Sequence, residues 1–352
     1  MKNISLASAH IPFKAYKNIF NCLWSERIGR GKYVDLLEKK ACDYFRVNNC
    51  IAVANGTLAD ILVLAALKIK TNDPMKNQVI FPALTFVAHT NAAIWAGLHP
   101  IFVDVNDDYQ MDAQQAKQAV NAQTLAVFPV HLLGGECELP KVNVPILQDC
   151  CESMGGTHSK FYNFFGTTTL ASTFSMYPSH TITTGEGGLI LTNDNDFAEL
   201  IRSIHNHGKM TGSNDFNFQH IGINAKMTNL QAAIGCAIFD TIPEVNYKRR
   251  SNVAYYNKLL GNDFYASAPH GYPVIYKDIN SRDNALKVLK DKGVEARKLM
   301  GCIPNLPPYK ALGYAGHNLN AQRLADCGLF VPLHQRLTDS DIEWICDALP
   351  KV

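Results

Sequence analysis

CIAVANGTLADILVLAALKI, residues 50–69, begins as a short apolar run, turns at Asn55-Gly56-Thr57, and continues as a helical pattern that is apolar nearly all round. A strand feeding a buried helix through a tight turn is the building unit of a parallel sheet covered by helices. Working outward, apolar runs rich in Val, Ile and Phe recur at 78–81, 100–103, 124–130 and 144–148, with longer helical patterns between them. The expected class is α/β, with a mostly parallel central sheet and flanking helices. Past Thr228 a long helical stretch is interrupted near Pro243 and resumes through Tyr247 to Arg250 toward Leu260. That interruption is read as a domain transition. Residues 1–240, with the N-terminal segment, form a large unit, and residues 241–352 form a smaller α+β unit. The smaller unit is expected to hold a strand at 272–276, a helix at 282–292 that stops at Gly293, and a last helix capped by Thr338 and Asp341.

With 47% hydrophobic and 18% charged residues, the composition is that of a globular enzyme or binder. The 33 basic and 31 acidic residues nearly cancel, so nothing draws a polyanion such as nucleic acid. No apolar run is long enough to span a membrane and the start lacks signal-peptide character, so a cytoplasmic location is expected. Ten cysteines are scattered without a Cys-x-x-Cys pair, which predicts reduced, mostly buried thiols and no metal site.

Three places carry chemistry. The turn at Gly56 and Thr57 offers free helix N-terminal amides and a hydroxyl to a phosphate, although a plain glycine turn with a Thr cap reads the same way. Asp149 ends the 144–148 strand, where ligands of open α/β sheets gather, and a carboxylate there can keep a pyridine nitrogen protonated, although alone it reads equally as a helix cap or surface residue. Phe86, in the loop after the 78–81 strand, can cover a flat aromatic face or simply pack. The densest signal is FSMYPSHTITTGEGG, Phe174 to Gly188, in which an apolar strand meets Pro178 and then a Gly-Glu-Gly-Gly turn.

With that segment the chain resembles the DegT/DnrJ/EryC1 family of sugar-nucleotide aminotransferases, fold-type I pyridoxal-phosphate-dependent transferases. The resemblance also rests on Pro82-x-x-Thr-Phe86, Pro129-Val-His-Leu132, Gln148-Asp-x-x-Glu152, Asn224-x-x-Met-Thr-Asn-Leu-Gln-Ala-Ala233, Pro307-Pro-Tyr309 and Val331-Pro-Leu-His334. It implies that Gly56, Thr57 and Ser175 bind the cofactor phosphate, Phe86 stacks on the ring, Asp149 holds the ring nitrogen, and Glu152 lies beside it. It further implies that Asn224 reaches a neighbouring subunit's cofactor phosphate, hence a homodimer with a shared active site.

One position departs from that pattern. Where such aminotransferases carry the Schiff-base lysine, two residues after the proline, this chain has His180. Histidine makes no stable Schiff base but moves protons near neutral pH. The same exchange marks a branch similar to GDP-4-keto-6-deoxy-D-mannose 3-dehydratase. That resemblance implies pyridoxamine phosphate as working cofactor, a nucleotide-linked 4-keto-6-deoxyhexose as substrate, L-glutamate as amine donor, His180 as catalytic base, and ammonia release. An iron–sulfur subtype has a Cys-x-Cys pair that is absent here, and Cys236, Cys302, Cys327 and Cys346 are too widely spaced for that ligand set. The segment from His205 to His220 reads more like the ordinary aminotransferases, and its histidines are too irregularly spaced for a metal. Two alternatives stay open: an aminotransferase with an atypical histidine, helped by another lysine such as Lys226 or Lys160, and a non-catalytic cofactor- or sugar-nucleotide-binding homologue.

Overall fold

The computed structural model describes residues 2–351 except 161, 211, 213, 214, 315 and 317. Its central sheet is made of β1 Asn49–Val53, β2 Gln78–Pro82, β3 His99–Val103, β4 Thr124–Val127, β5 Leu147–Asp149, β6 Ala171–Ser175 and β7 Gly188–Thr192. One ladder runs β1-β7-β6-β5 and a second runs β3-β2-β4. Parallel bridges from Val127 to Ile146 and from Val130 to Asp149 join the two into one sheet. Only β7 runs against its neighbours, so the expected mostly parallel sheet is present.

Two predicted strands are shorter than their apolar runs, for backbone reasons. Pro145 has no N–H to give a ladder, and β5 begins after it. Beyond Val127 the chain meets Pro129, and contact with β5 thins to a single bridge at Val130. The helix predicted at 57–69 runs Gly56–Thr71; the Asn55 side chain accepts from Leu58 N–H and Asn72 closes it in a left-handed conformation.

Along β1, Ile51 and Val53 face the core beneath this helix with Leu62, Val63 and Phe81. Cys50 and Ala52 face the opposite core with Phe45, Leu189 and Phe239, covered by helices Lys32–Phe45 and Asn229–Ile238. Both faces of the sheet are therefore dry, and polar groups concentrate at its ends.

After Asn229–Ile238, one tight turn leads into the long helix Ile242–Leu260, with Pro243 in its first turn, where a missing N–H costs nothing. Its first half packs on the large unit through Ile242 and a 2.9 Å bond from Asn246 Nδ2 to Met154 O. Its second half enters the C-terminal core with Val253 and Tyr256. That core lies under an antiparallel sheet in the order Arg297–Lys298, Gly328–Val331, Tyr272–Ile275. Helix Ile279–Asp291 begins three residues before the predicted start because Asp278 caps it, and the Thr338/Asp341 capping box forms on Asp339–Ala348. Ile4, grouped with the large unit in the sequence reading, instead bridges Val294 and is buried in the C-terminal core. Such long-range pairing leaves no mark on local pattern. Strand Gly301–Cys302 pairs with Leu84–Thr85 and so ties the two units together beside the ends of the central strands. No helix among the described residues is long and apolar enough to cross a membrane.

Candidate active site

The carboxyl ends of β1, β2, β5 and β6 surround a cavity of about 410 Å³. Gly56, Thr57, Phe86, Asp149, Glu152, Ser175 and His180, far apart in sequence, all line it. Asn224 does not; it is exposed on an extended segment bridged to Asn206.

The glycines here are steric requirements. Gly188 sits in register between Val53 and Ser175. A Cβ on it would lie 2.6 Å from Asn55 O and 3.0 Å from Gly56 N, both backbone. A Cβ on Gly56 would lie 2.9 Å from Ser175 Cβ. Three backbones thus converge to place helix N-terminal amides, the Thr57 side chain and Ser175 on one wall, the arrangement that receives a phosphate.

Across the cavity, Asp149 Oδ1 accepts from Cys151 N–H at 2.9 Å, and Oδ2 lies 3.7 Å from His89 Nδ1. Burial drives His89 down to about 3, so it is a neutral ring. Burial also raises the Asp149 carboxyl, and it raises Asp60 well above the carboxylate range, with Asp149's charge adding to the effect. Both Asp60 oxygens are buried without a hydrogen-bond partner. Two buried acids paired with no charged cation among the described residues fit a positively charged ring nitrogen, which would let Asp149 ionise. Phe86 is 61% exposed at the cavity edge, free to lie over a flat ring.

His180 belongs to the loop that joins β6 to β7. Pro178 and a bond from His180 N to Tyr177 O turn the chain there, and Thr183 Oγ1 and Thr184 N both donate to Met176 O, closing the loop. The His180 carbonyl accepts from buried Arg249 at 3.0 Å. Burial, then the Arg249 charge, push its imidazole down to about 3, so it is the neutral, proton-accepting form at physiological pH. Its Nδ1 is buried and unbonded. Glu152 is the opposite case: burial foremost lifts it to about 7, against the Leu133 N–H that donates to Oε2 at 2.8 Å. Environments that push two groups apart in this way sort a base from an acid.

No lysine lines the cavity among the described residues. Lys226 is bonded to Asn206 Oδ1 and Lys160 is exposed, so neither alternative lysine reaches the site. His205 is bonded to Arg202 O and His220 to Ser203 Oγ; no metal-holding cluster occurs among the described residues. Sequence reasoning missed Asp60, His270, Arg297 and Arg249. Asp60 alone left a signal, as the single acid in the otherwise largely apolar run 50–69.

The DegT/DnrJ/EryC1/StrS aminotransferase family pattern matches residues 13–350. GDP-perosamine synthase of Caulobacter vibrioides is 31% identical, with 100% of this chain and 99% of that protein covered. GDP-4-keto-6-deoxy-D-mannose 3-dehydratase of Escherichia coli O55:H7 is 29% identical over 99% of this chain and 100% of that protein. A solved E. coli structure of that dehydratase with bound hydrated pyridoxal phosphate superposes with a TM-score of 0.89 at 28% identity, covering 99% of this chain and 100% of that one.

Proposed function

We propose, from the premise that this chain belongs to the DegT/DnrJ/EryC1/StrS aminotransferase family of enzymes, that it is a pyridoxal/pyridoxamine phosphate-dependent 3-dehydratase of a nucleotide-linked 4-keto-6-deoxyhexose. L-glutamate would restore the amine form of the cofactor, and ammonia would leave with the product. The observation that carries this reading is a cavity that gathers Gly56, Thr57, Asp149, Ser175 and His180 on its wall, with no lysine there among the described residues.

The cofactor, when bound, supplies an amine for the keto group and a conjugated ring that takes up electrons. Gly56, Thr57 and Ser175 would hold its phosphate, Phe86 would cover its ring, and Asp149, with Asp60 next to it, would keep the ring nitrogen protonated. Without a covalent tether, binding falls wholly on these contacts. His180 moves the proton: Nδ1 is shut in, and Nε2, with no hydrogen-bond partner among the described residues, is the nitrogen left to the reacting centre. Glu152, part neutral at physiological pH, is placed to hold a proton for a leaving hydroxyl.

The match to GDP-perosamine synthase favours a second reading, transfer of the amine to carbon 4 of the sugar. The two diverge at carbon 3. Incubation with cofactor, L-glutamate and a GDP-linked 4-keto-6-deoxy sugar in deuterated water should give a 3-deoxy product carrying deuterium, seen by NMR, together with ammonia. A stable 4-amino sugar would overturn the dehydratase reading. In that assay His180→Asn should bind cofactor and lose turnover by about 100-fold or more.

The family resemblance also suggests a homodimer. Helix Phe13–Trp24 leaves Phe13, Tyr16, Phe20 and Trp24 exposed along one side, and Asn224 sits outside its own cavity, as a residue serving a neighbour would.

A further inference from the structure

His180 and Glu152 are not isolated from one another. His270, at the turn before strand Tyr272–Ile275 with its side chain only 7% exposed, stands between them on the same cavity wall. Its ring centroid is 5.2 Å from that of His180, and its Nε2 is 3.8 Å from Glu152 Oε1. Contacts of that length commonly tighten when substrate fills a site.

Two backbone clamps hold the three groups in line. Leu133 has a left-handed backbone, φ 55°, unusual for a branched residue. In that conformation its N–H donates to Glu152 Oε2 at 2.8 Å while its carbonyl accepts from His270 N–H at 3.2 Å. Arg249, 2% exposed on the helix that joins the two units, donates from one nitrogen to His180 O at 3.0 Å and from another to Pro269 O at 3.1 Å. One guanidinium therefore fixes the loop bearing His180 to the turn bearing His270.

We propose that His180, His270 and Glu152 form a proton relay, with His270 carrying protons between the base and the acid and Arg249 positioning both histidines. In one direction a proton held on His180 passes to His270, which releases its other ring proton to the Glu152 carboxylate. An N–H bond breaks at His180 and an O–H bond forms at Glu152; His270 gains an N–H on one ring nitrogen and loses the other, ending neutral in its other tautomer, which return of the proton resets, and no electrons change hands. The charged groups facing the relay are Asp149 on the Glu152 side and Arg249 behind the histidines, with Asp60 next to Asp149 and Glu186 and Arg297 elsewhere on the wall. Burial foremost, then His180 beside it and Arg249, keep His270 neutral, so it transmits a proton without storing one.

The relay deepens the dehydratase reading, and its test needs neither sugar nor cofactor. In protein labelled with 15N-histidine, the ring signals of His180 and His270 should both shift through the Glu152 transition near pH 7. Glu152→Gln should remove that step from both. His270→Asn and His270→Gln, with unchanged melting as the check on folding, should remove it from His180 while Glu152 still titrates by its 13C carboxyl signal. A His180 step that survives in both His270 variants, or that is absent from the unaltered protein, overturns the relay. In the complete reaction, His270→Asn should lower kcat roughly 10- to 100-fold with KM little changed. Failure of the unaltered enzyme to dehydrate any sugar would sink the functional reading and leave the NMR coupling to decide the relay.

Discussion

Gly188→Ala tests the construction of the phosphate wall. The added Cβ would lie 2.6 Å from Asn55 O, whereas ordinary contact begins at 3.4 Å, so the Asn55–Gly56 turn must retreat by about 0.8 Å. The methyl cannot escape, because Gly188 is paired with Val53 on one side and Ser175 on the other. A shift of that size stretches a good N–H···O bond from about 2.9 Å to beyond hydrogen-bonding range. A bond to a charged group contributes about 1.5–3 kcal/mol, so losing one should weaken cofactor binding about 10- to 150-fold. Overpacking should cost a further 1–3 kcal/mol or so of stability. Fluorescence titration with pyridoxal phosphate and pyridoxamine phosphate, alongside thermal melts, reads both effects. Gly185→Ala is the control: Gly185 has a φ of 83° but open space around it, so it carries conformational strain without the clash. It should lose about 1 kcal/mol of stability and keep cofactor affinity within a few-fold. Gly188→Ala binding as tightly as the unaltered protein would refute the claim that this glycine shapes the phosphate wall.

Glu152 titrates near 7 when folded and near 4.5 when unfolded, so the folded state holds its proton longer, and this contribution to stability fades as pH rises between those values. At most about 3 kcal/mol is at stake, and the difference in melting temperature between Glu152→Gln and the unaltered protein should vary with pH inside that window and level off outside it; a difference independent of pH would show that Glu152 is not the titrating group. If Asn224 serves the neighbouring subunit, mixing inactive His180→Asn and Asn224→Ala chains should restore about a quarter of the sites, and a mixture as inactive as its parts would argue against sharing. His180→Lys should create a visible Schiff-base absorption with pyridoxal phosphate; its absence would mean that residue 180 does not face the cofactor aldehyde.

What the sequence disclosed follows from how local each signal is. Residues 50–69 revealed a strand, a turn and a buried helix because all three are written in adjacent apolar spacing and one glycine. Thr338 and Asp341 announced a helix end through bonds spanning three residues. Ile4 went to the wrong unit because its partner, Val294, lies 290 positions away. Gly56, Thr57, Phe86 and Asp149 were legible one by one, as a turn or a strand end; their assembly around one cavity comes from the parallel sheet, which collects strand ends that the chain itself keeps far apart.

Arg249 and His270 show why the remainder of the site was hidden. In the sequence Arg249 stands in a charged segment, Tyr247 to Arg250, of the kind that normally forms a solvated helix face. Folding buries it because its helix crosses from one core to the other, and the two carbonyls it serves, at His180 and Pro269, compensate part of the cost of burying the charge. Its Nε has no partner, and burial lowers its guanidinium to about 10, so that compensation is incomplete. A charge kept in such a place at a cost to stability needs a use elsewhere. The two loops it pins bear the histidine that replaces the lysine and the histidine next to it. A lysine joined to its cofactor is oriented by that bond; a histidine with no such bond has to be oriented by the protein, and here a buried arginine does it.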